Sequence, residues 1–324
     1  MKDIAKKTGL GLATISSYIN GGHVREKNRL LIEQAIEELG FEVNEVARGL
    51  KTKKTRTVGI VLPELSNIFS TAIVTVVEDI LRTHGYASFV CDCRTDARLE
   101  AEAVAFLLRK QVDGIINIPV TTDGAHLQPA IREKTPIVLI DRKISGVDCD
   151  TVMVDNVDAA RQAVETLIRA GHEKIGMLCG PHDLFTAEER LLGYRVGLME
   201  NGLIPKEEWI ACGDYTMEGG RIGTGELLRQ KELTALFVSN YEMTVGAVIA
   251  LNQHGIRIPE DLAVVGFDNL DFARAVRPNL TIVTQPTTEI GEAAANLLLA
   301  RMQGEARPFE HIRLQTQLVP GKSV

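Results

Sequence analysis

Short apolar runs alternate with amphipathic segments from residue 57 almost to the C-terminus, and this alternation constrains the fold more than any other feature. The first run, Thr57-Val58-Gly59-Ile60-Val61-Leu62, ends at Pro63 and is typical of a buried strand. Strands that alternate with helices form parallel sheets wrapped by helices. Two runs of similar length therefore predict an α/β body of two doubly wound lobes. The pattern predicts strands at 57–63, 87–91, 114–118, 137–141, 152–155, 174–179, 209–212, 235–239, 263–267, 280–285 and 311–319, and helices at 69–84, 99–110, 159–170, 188–201, 219–229, 242–253 and 289–303.

The first 50 residues have a different pattern, which predicts three helices. Gly9 supplies a tight turn between a helix at 3–8 and a second helix at 12–20, and Gly40 ends a third helix. Ala13, Ser17 and Tyr18 would form a thin polar front on the second helix, which suits entry into a DNA major groove. An ordinary helical hairpin would show the same spacing. The residues predicted to face inward are Ile4, Ala5, Thr8, Leu12, Ile15, Ser16, Ile19, Leu30, Leu31, Ala35, Ile36 and Leu39.

Charge separates this head from the rest of the chain. Through Arg56 there are eleven Lys and Arg against seven Asp and Glu, a net charge of +4, and the remainder carries −11. A basic head on an acidic body is expected of a protein that touches phosphate at one end only. Two heads in a dimer would make DNA binding strongly salt-dependent.

The segment that follows the head predicts a short helix from Asn44, its N-cap, to about Lys51. Such a helix is too short to be stable alone, but it can form when paired with a copy of itself on DNA. Leu50 would then be an apolar wedge in the minor groove, with Arg48 and Lys51 on phosphates. The alternative is a charged linker.

Composition predicts a cytoplasmic protein without cofactor or metal. Lys2, Asp3, Lys6 and Lys7 interrupt the start where a secretory signal would lie, and no run is long enough to span a membrane. The five cysteines are scattered and odd in number, which suits reduced thiols that act as small buried hydrophobes. Cys91 and Cys93 are the only close pair, and no second pair or nearby His completes a metal site. No arrangement of base and nucleophile indicates catalysis.

Together these stretches resemble the lactose-repressor/galactose-repressor family of bacterial transcription regulators, and the resemblance covers nearly the whole chain. It rests on Asp3-Ile4-Ala5, Ala13-Thr14-Ile15-Ser16, Asn20-Gly21, Ala35-Ile36-Glu37-Glu38-Leu39-Gly40-Phe41 and Asn44-Glu45-Val46-Ala47-Arg48-Gly49-Leu50. It implies a helix-turn-helix domain at 1–43, a hinge helix and linker at 44–56, and a periplasmic-binding-protein-like, effector-binding and dimerisation domain at 57–324. Lobe 1 would comprise about 57–154 and 285–312, and lobe 2 about 155–284 and 313–324.

The resemblance also implies two sets of contact residues. DNA contacts are expected from Leu12, Ala13, Thr14, Ser16, Ser17, Asn20, His23, Arg48, Leu50 and Lys51. Effector contacts in a cleft between the lobes are expected from Asn67, Phe69, Asp141, Arg142, Thr186, Arg190, Tyr215, Asn240, Asp268 and Gln285. Carboxylate, amide and guanidinium groups beside an aromatic ring suit the hydroxyls and apolar face of a sugar. Asp268 as a helix N-cap and Arg190 as a surface ion pair are the structural alternatives.

Five positions depart from the family pattern. Ile68 and Ser70 interrupt the usual Asn-Pro-aromatic-aromatic run, Ser17 stands where many relatives have Arg, Val43 replaces a Pro, and Tyr241 stands where Asp is common. No leucine heptads follow the body, so a homodimer is expected rather than a tetramer.

The predicted function is a repressor that binds a near-palindromic operator and responds to a small effector, for which a sugar or sugar derivative is favoured. The alternatives are a nucleobase or other metabolite as effector, a sugar-binding module without DNA-regulatory role, and an enzyme of sugar metabolism.

Overall fold

The computed structural model describes residues 1–19, 22–41, 49 and 54–324. The chain divides into two compact units, Met1–Thr55 and Arg56–Val324. The described part of the first unit is the head, and the second unit is the body. Each unit has its own hydrophobic core.

The described part of the head contains helices α1 (Lys2–Thr8), α2 (Leu12–Ile19) and α3 (Glu26–Leu39). Gly9 and Gly40 both take the left-handed conformation that ends a helix, with φ values of 68° and 54°, as predicted. The buried core of the three helices consists of Ile4, Ile15, Ile32 and Ala35. This core is small, so few positions on each helix are covered.

The predicted inward face of the head was wrong at several positions. Leu12 is 49% exposed because it begins its helix, away from the core around Ile15. In α3 the buried residues are Ile32 and Ala35, whereas Leu30, Leu31 and Leu39 are exposed. Tyr18, predicted on the polar front, packs against the core instead and donates a hydrogen bond to Glu33 Oε1 at 2.9 Å.

The predicted hinge helix at residues 44–51 lies outside the described residues, apart from Gly49. Asn20, Arg48, Leu50 and Lys51, all expected to contact DNA, also lie outside them. Their roles remain predictions.

One lobe of the body, lobe 1, is built on a parallel sheet in the order β11-β5-β4-β3-β1-β2. Helices cover both faces of this sheet, so that one core lies under α4 and α12 and another under α5 and α6. The strands are β1 (Thr57–Leu62), β2 (Ala87–Asp92), β3 (Gly114–Asn117), β4 (Ile137–Ile140), β5 (Asp150–Val154) and β11 (His311–Leu314), and the helices are α4 (Ile68–Thr83), α5 (Ala97–Arg109), a 3-10 turn (Ala125–Leu127), α6 (Gln128–Glu133) and α12 (Thr287–Met302).

The other lobe, lobe 2, has the sheet order β12-β10-β9-β8-β6-β7, in which only β12 runs antiparallel in this fully described unit. Helices again cover both faces. The strands are β6 (Ile175–Cys179), β7 (Ile210–Cys212), β8 (Ala235–Val238), β9 (Ala263–Phe267), β10 (Thr281–Thr284) and β12 (Gln317–Val319), and the helices are α7 (Asn156–Arg169), α8 (Phe185–Glu200), a 3-10 turn (Glu207–Trp209), α9 (Met217–Leu227), α10 (Tyr241–Gln253) and α11 (Leu270–Ala275).

The chain crosses between the two sheets three times, after β5, after β10 and after β11. The strand predicted at 311–319 was wrong, because it is two strands: β11 pairs with β5 in lobe 1, and β12 pairs with β10 in lobe 2. The short helices α6 and α11 had not been predicted. Multiple crossings form a hinge about which the lobes can move.

Among the helices of the described residues, none has the length and apolar content that a membrane crossing requires.

Candidate functional site

A cavity of about 830 Å³ lies between the two lobes. The loops that follow the carboxyl ends of strands in both sheets line it, which is where doubly wound sheets bind ligands. All ten residues that were expected to contact an effector lie on its walls: Asn67, Phe69, Asp141, Arg142, Thr186, Arg190, Tyr215, Asn240, Asp268 and Gln285.

Asp268 and Gln285 form the centre of the polar wall. Asp268 follows β9 in a left-handed conformation with φ 58°, and its N–H donates to Val283 O at 2.6 Å. Gln285 lies at the crossing after β10, and its Nε2 donates to both oxygens of the Asp268 carboxylate at 3.0 Å. The N-cap of α11 is Asn269, not Asp268. Both carboxylate oxygens retain lone pairs that can accept hydroxyl groups of a ligand.

Burial raises the pKa of Asp268 to about 7, from an ordinary value of 3.8. The positive charge of Arg190 and the hydrogen bond from Gln285 oppose this shift, whereas the carboxylates of Asp141 and Glu242 add to it. Asp268 therefore changes charge near neutral pH. A ligand that donates hydrogen bonds to its ionised form would lower this pKa.

Arg190 is a buried part of the cavity wall and not a surface ion pair, since it is only 4% exposed. Its Nε donates to Asn156 Oδ1 at 2.8 Å, and its Nη1 donates to Ser239 O at 2.7 Å. The guanidinium lies 4.0 Å from the centre of the Phe267 ring. Because a guanidinium has five N–H donors, some remain for a ligand after these two bonds.

Glu242 connects the two lobes, and the sequence prediction missed it. Its Oε1 accepts a hydrogen bond from Asn67 Nδ2 of lobe 1 at 2.8 Å, and its Oε2 accepts from Asn240 Nδ2 of lobe 2 at 2.8 Å. Burial raises the pKa of Glu242. The available signal was that a Glu follows Asn240 by two residues, which places it in the first turn of α10 at the cavity.

The two Asn residues that hold Glu242 are themselves fixed by helix starts. Asn67 Oδ1 accepts from Ser70 N at 2.9 Å and caps α4, while Asn240 Oδ1 accepts from Met243 N at 3.0 Å and caps α10. The contact between Asn67 and Glu242 is therefore preorganised on both sides. Tyr241, a departure from the family pattern, packs edge-on against Phe272, with 5.9 Å between ring centres.

Asp141 and Arg142 form the wall on the lobe 1 side. Asp141 has φ 68°, and Arg142 Nε donates to Asp141 Oδ2 at 3.2 Å. Arg142 Nη1 also donates to Pro119 O at 2.9 Å, which holds the guanidinium at the cavity. On the opposite wall, the Tyr215 ring lies so close to Gly180 that a Cβ built there would be 2.2 Å from the ring.

The charge of the cavity wall is mainly negative. Within the fully described body, six acidic residues and two basic residues line it: Glu64, Asp141, Asp214, Glu242, Asp268 and Asp271 against Arg142 and Arg190. Both arginines already donate hydrogen bonds to protein oxygens. This balance favours neutral or positively charged ligands that donate hydrogen bonds over anions.

In the head, Ala13 and His23 are exposed along with Leu12, whereas Thr14, Ser16 and Ser17 are partly buried. Ala13 and Ser17 lie one helical turn apart on α2, away from the buried Ile15. The small Ala13 side chain on an exposed helix start would let the backbone approach a groove closely.

Comparison with known proteins gives matches over both units. Residues 1–44 match a family model described as bacterial regulatory proteins, lacI family, and residues 164–324 match a periplasmic binding protein-like domain. The chain is 34% identical over 306 residues to the catabolite control protein A of Priestia megaterium, covering 94% of this chain and 92% of that protein. It is 32% identical to the HTH-type transcriptional repressor CytR of Escherichia coli (strain K12), covering 94% and 90%.

Two solved structures resemble the fold along the whole chain. The complex of the transcriptional regulator CelR with cellobiose has a TM-score of 0.78 at 31% identity, covering 100% of this chain and 99% of that one. The lac repressor dimer bound to operator and the anti-inducer ONPF has a TM-score of 0.87 at 27% identity, covering 99% and 97%.

Proposed function

We propose that this chain, which belongs to the lacI family of bacterial regulatory proteins, binds its operator under the control of a sugar. It is a DNA-binding transcriptional repressor with a ligand-binding domain, and its relatives are regulators rather than enzymes. The finer proposal concerns the effector, the DNA contacts and the dimer.

The observation that carries the effector proposal is the ring of polar groups in the cavity. Asp268 and Asp141 offer acceptors for hydroxyl groups, Arg190 and Arg142 offer donors, and Tyr215 and Phe69 offer aromatic surface. A neutral sugar presents many hydroxyls and an apolar face, which matches this set. A cavity of about 830 Å³ has room for a disaccharide, and the similar regulator CelR is known in complex with cellobiose.

Control of DNA binding would come from the hinge between the lobes. In the present arrangement Glu242 joins Asn67 of lobe 1 to Asn240 of lobe 2. A sugar that contacts both walls would favour one angle between the lobes over another. The three segments of chain that cross between the lobes would transmit this change in angle to lobe 1. To shift operator occupancy decisively, the effector must bind one arrangement several kcal/mol more tightly than the other, up to about 5.5 kcal/mol for a 1:99 to 99:1 shift.

We further propose that the chain acts as a homodimer on a near-palindromic operator, with the α2 helices of two copies in successive major grooves. Support for a second copy comes from β2, an edge strand of the lobe 1 sheet. Phe89 and Val90 on this strand are each 39% exposed, and Phe106 beside them is 37% exposed. Exposed apolar edge strands are usually covered by another chain or element.

The first test is selection of bound duplexes from a random DNA library by the full-length protein at one stated salt concentration. We expect a near-palindrome with a flexible step at its centre. Recovery of random sequence both without and with added metabolite pools would refute the operator proposal.

A pair of head variants tests the DNA face of α2. Ala13→Glu adds a negative charge at the proposed groove contact, and Gln34→Glu adds the same charge on an exposed position of α3. Ala13→Glu should weaken binding to the selected duplex at least tenfold, whereas Gln34→Glu should change it by no more than about threefold. Equal effects of the two variants would contradict a specific role for α2.

The effector is tested separately by titrating the protein with a panel of neutral disaccharides, pentoses, nucleosides and sugar phosphates. Binding of a neutral sugar that Asp268→Ala abolishes, with operator binding retained, is the expected result. Selective binding of a nucleoside or a sugar phosphate would refute the sugar proposal.

A further inference from the structure

Two cysteines meet at the edge of the lobe 2 sheet, beside the cavity. Cys179 ends β6 and Cys212 ends β7, and the two residues are direct partners in the parallel pairing of these strands. Their sulfur atoms are 2.8 Å apart, although the chain positions are 33 residues apart. A disulfide bond is about 2.05 Å long, so small side-chain rotations would bring the sulfurs to bonding distance.

The two thiols differ in their access to solvent. Cys212 is exposed, whereas Cys179 is only 1% exposed. Burial raises the pKa of the Cys179 thiol, and the neighbouring Cys212 adds to the shift. A soluble oxidant therefore reaches Cys212 first, and Cys179 is protected from any reagent except its neighbour.

His182 completes the arrangement. Its Nε2 lies 3.1 Å from the Sγ of Cys212, within hydrogen-bonding distance. A thiol at this distance can donate a hydrogen bond to an imidazole nitrogen, and a base beside a cysteine activates it as a nucleophile. His182 belongs to the same loop as Gly180 and Pro181, which connects Cys179 to α8.

We propose that Cys179 and Cys212 form a dithiol that hydroperoxides oxidise to a disulfide. In the first step the Cys212 sulfur attacks the peroxide oxygen and the O–O bond breaks, which gives a sulfenic acid on Cys212 and releases water from hydrogen peroxide. In the second step the Cys179 sulfur displaces the hydroxyl group of the sulfenic acid, which leaves with the Cys179 proton as water. The protein loses two electrons and two protons, which together are two hydrogen atoms, and one hydrogen peroxide is reduced to two waters.

The position of this thiol pair ties its redox state to the cavity wall. The loop after Cys179 contributes Pro181 and Leu184 to the cavity, and the loop after Cys212 contributes Tyr215. The two loops already touch, since the Tyr215 ring packs on Gly180. A covalent link at their base would restrict their movement relative to each other. Redox sensitivity would thus add to control by a ligand, but the thiol chemistry does not depend on which ligand the cavity binds.

The other three cysteines serve as internal controls. Cys93 and Cys149 are buried, and burial raises the pKa of each thiol to about 12. Burial also raises the pKa of Cys91, which is partly exposed. All three belong to lobe 1. They should therefore stay reduced at peroxide doses that oxidise the thiol pair.

The experiment is thiol mapping on the reduced full-length protein. After treatment with hydrogen peroxide, the protein is denatured and alkylated with N-ethylmaleimide, and its mass is measured by mass spectrometry. We expect three of the five thiols to be alkylated, together with the loss of two hydrogen atoms and a linked peptide containing Cys179 and Cys212. Dithiothreitol should restore all five. Five alkylated thiols after peroxide, or a link that involves Cys91 or Cys93 instead, would overturn the proposal.

Single variants test the order of the two steps. Cys179→Ser should leave a sulfenic acid on Cys212 that dimedone traps, whereas Cys212→Ser should yield neither the link nor a dimedone adduct at Cys179. Cys91→Ser should form the link as the wild type does. Hydrogen exchange in residues 180–216 should slow on oxidation of the wild type but not of Cys212→Ser. Unchanged exchange in an oxidised, linked wild type would overturn the coupling to the cavity wall.

Discussion

Replacement of Asp268 by Asn tests the charge state of the cavity wall. Burial holds the pKa of Asp268 at about 7 in the folded protein, whereas 3.8 is its ordinary value. The folded state therefore binds the proton more tightly than the unfolded state does. Between these two pH values the carboxyl is protonated when folded and ionised when unfolded. The free energy of unfolding must then fall as pH rises through this window.

The expected change in the free energy of unfolding follows from the difference between the two pKa values of Asp268. About 3 pH units correspond to about 4 kcal/mol at 1.36 kcal/mol per unit. Asp268 keeps some surface toward the cavity, and water there reduces the penalty, so we expect about 2 to 4 kcal/mol. Asn has the same shape, accepts a hydrogen bond from Gln285 and does not titrate. The difference in unfolding free energy, Asp268→Asn minus wild type, should therefore grow by this amount from pH 4 to pH 8.

The assay is urea unfolding followed by fluorescence of Trp209, the single tryptophan of the chain, which is buried in lobe 2. Asp261→Asn is the control. A salt bridge with Arg257 lowers the pKa of Asp261 to about 2, so its contribution changes only at lower pH and its difference from the wild type should be nearly constant above pH 4. A constant difference for Asp268→Asn over the same range would refute the assigned pKa and its cause.

The same titration has a consequence for ligand binding. A sugar that donates hydroxyls to ionised Asp268 must displace its proton below pH 7. If the pKa falls well below 6 in the complex, the Kd at pH 6 should be about tenfold higher than at pH 8. Asp268→Asn should bind more weakly, but with no such dependence on pH. If the Kd of the variant depended on pH as strongly as that of the wild type, the proton displaced by the sugar would belong to a group other than Asp268.

Three further predictions concern the lobes and their surfaces. Glu242→Ala removes the acceptor that joins Asn67 to Asn240, so the ligand-free lobes should open, with a larger radius of gyration in X-ray scattering and about fivefold to tenfold weaker sugar binding. Glu226→Ala, at an exposed position of α9 away from the cavity, is the control and should change neither quantity. Arg301→Ala leaves the fully buried Asp150 without its ion pair, in which Arg301 Nε and Nη2 donate to the two carboxylate oxygens at 2.7 and 2.9 Å. The free energy of unfolding should fall by about 3 to 5 kcal/mol, and a loss below about 1 kcal/mol in urea unfolding would contradict this. Val90→Glu on the exposed edge strand should shift the protein from dimer to monomer in sedimentation, and a wild-type monomer at micromolar concentration would argue against the proposed dimer.

The order of strands and helices was predictable because each element carries its own periodicity. Runs such as Ala263–Phe267 are continuously apolar, and the structure places them in the centre of a sheet. Polar residues directly after such runs fall at the carboxyl edge of their own sheet, Asp141 in lobe 1 and Asn240 and Asp268 in lobe 2. All ten predicted effector residues lie on one cavity because these edges of the two sheets face each other and because helices that begin there add Phe69, Thr186 and Arg190. Their binding role remains a prediction.

The head shows where periodicity is insufficient. Leu30 and Leu31 are as apolar as Ile32, yet only Ile32 is covered by neighbouring helices. A three-helix core of this size covers few positions on each helix, and which ones it covers depends on the crossing angles. These angles come from packing between helices and not from the sequence of any one of them.

The sequence by itself determined the α/β alternation, the separate basic head and the polar strand ends, because each is a local pattern. Only the tertiary structure decided which elements pair. It divided residues 311–319 between two sheets, joined Asn67 to Glu242 across 175 positions and placed Cys179 against Cys212. Such contacts form between residues far apart in the chain, and no local spacing encodes them. They depend on the order of the strands within each sheet and on the angle between the two folded lobes.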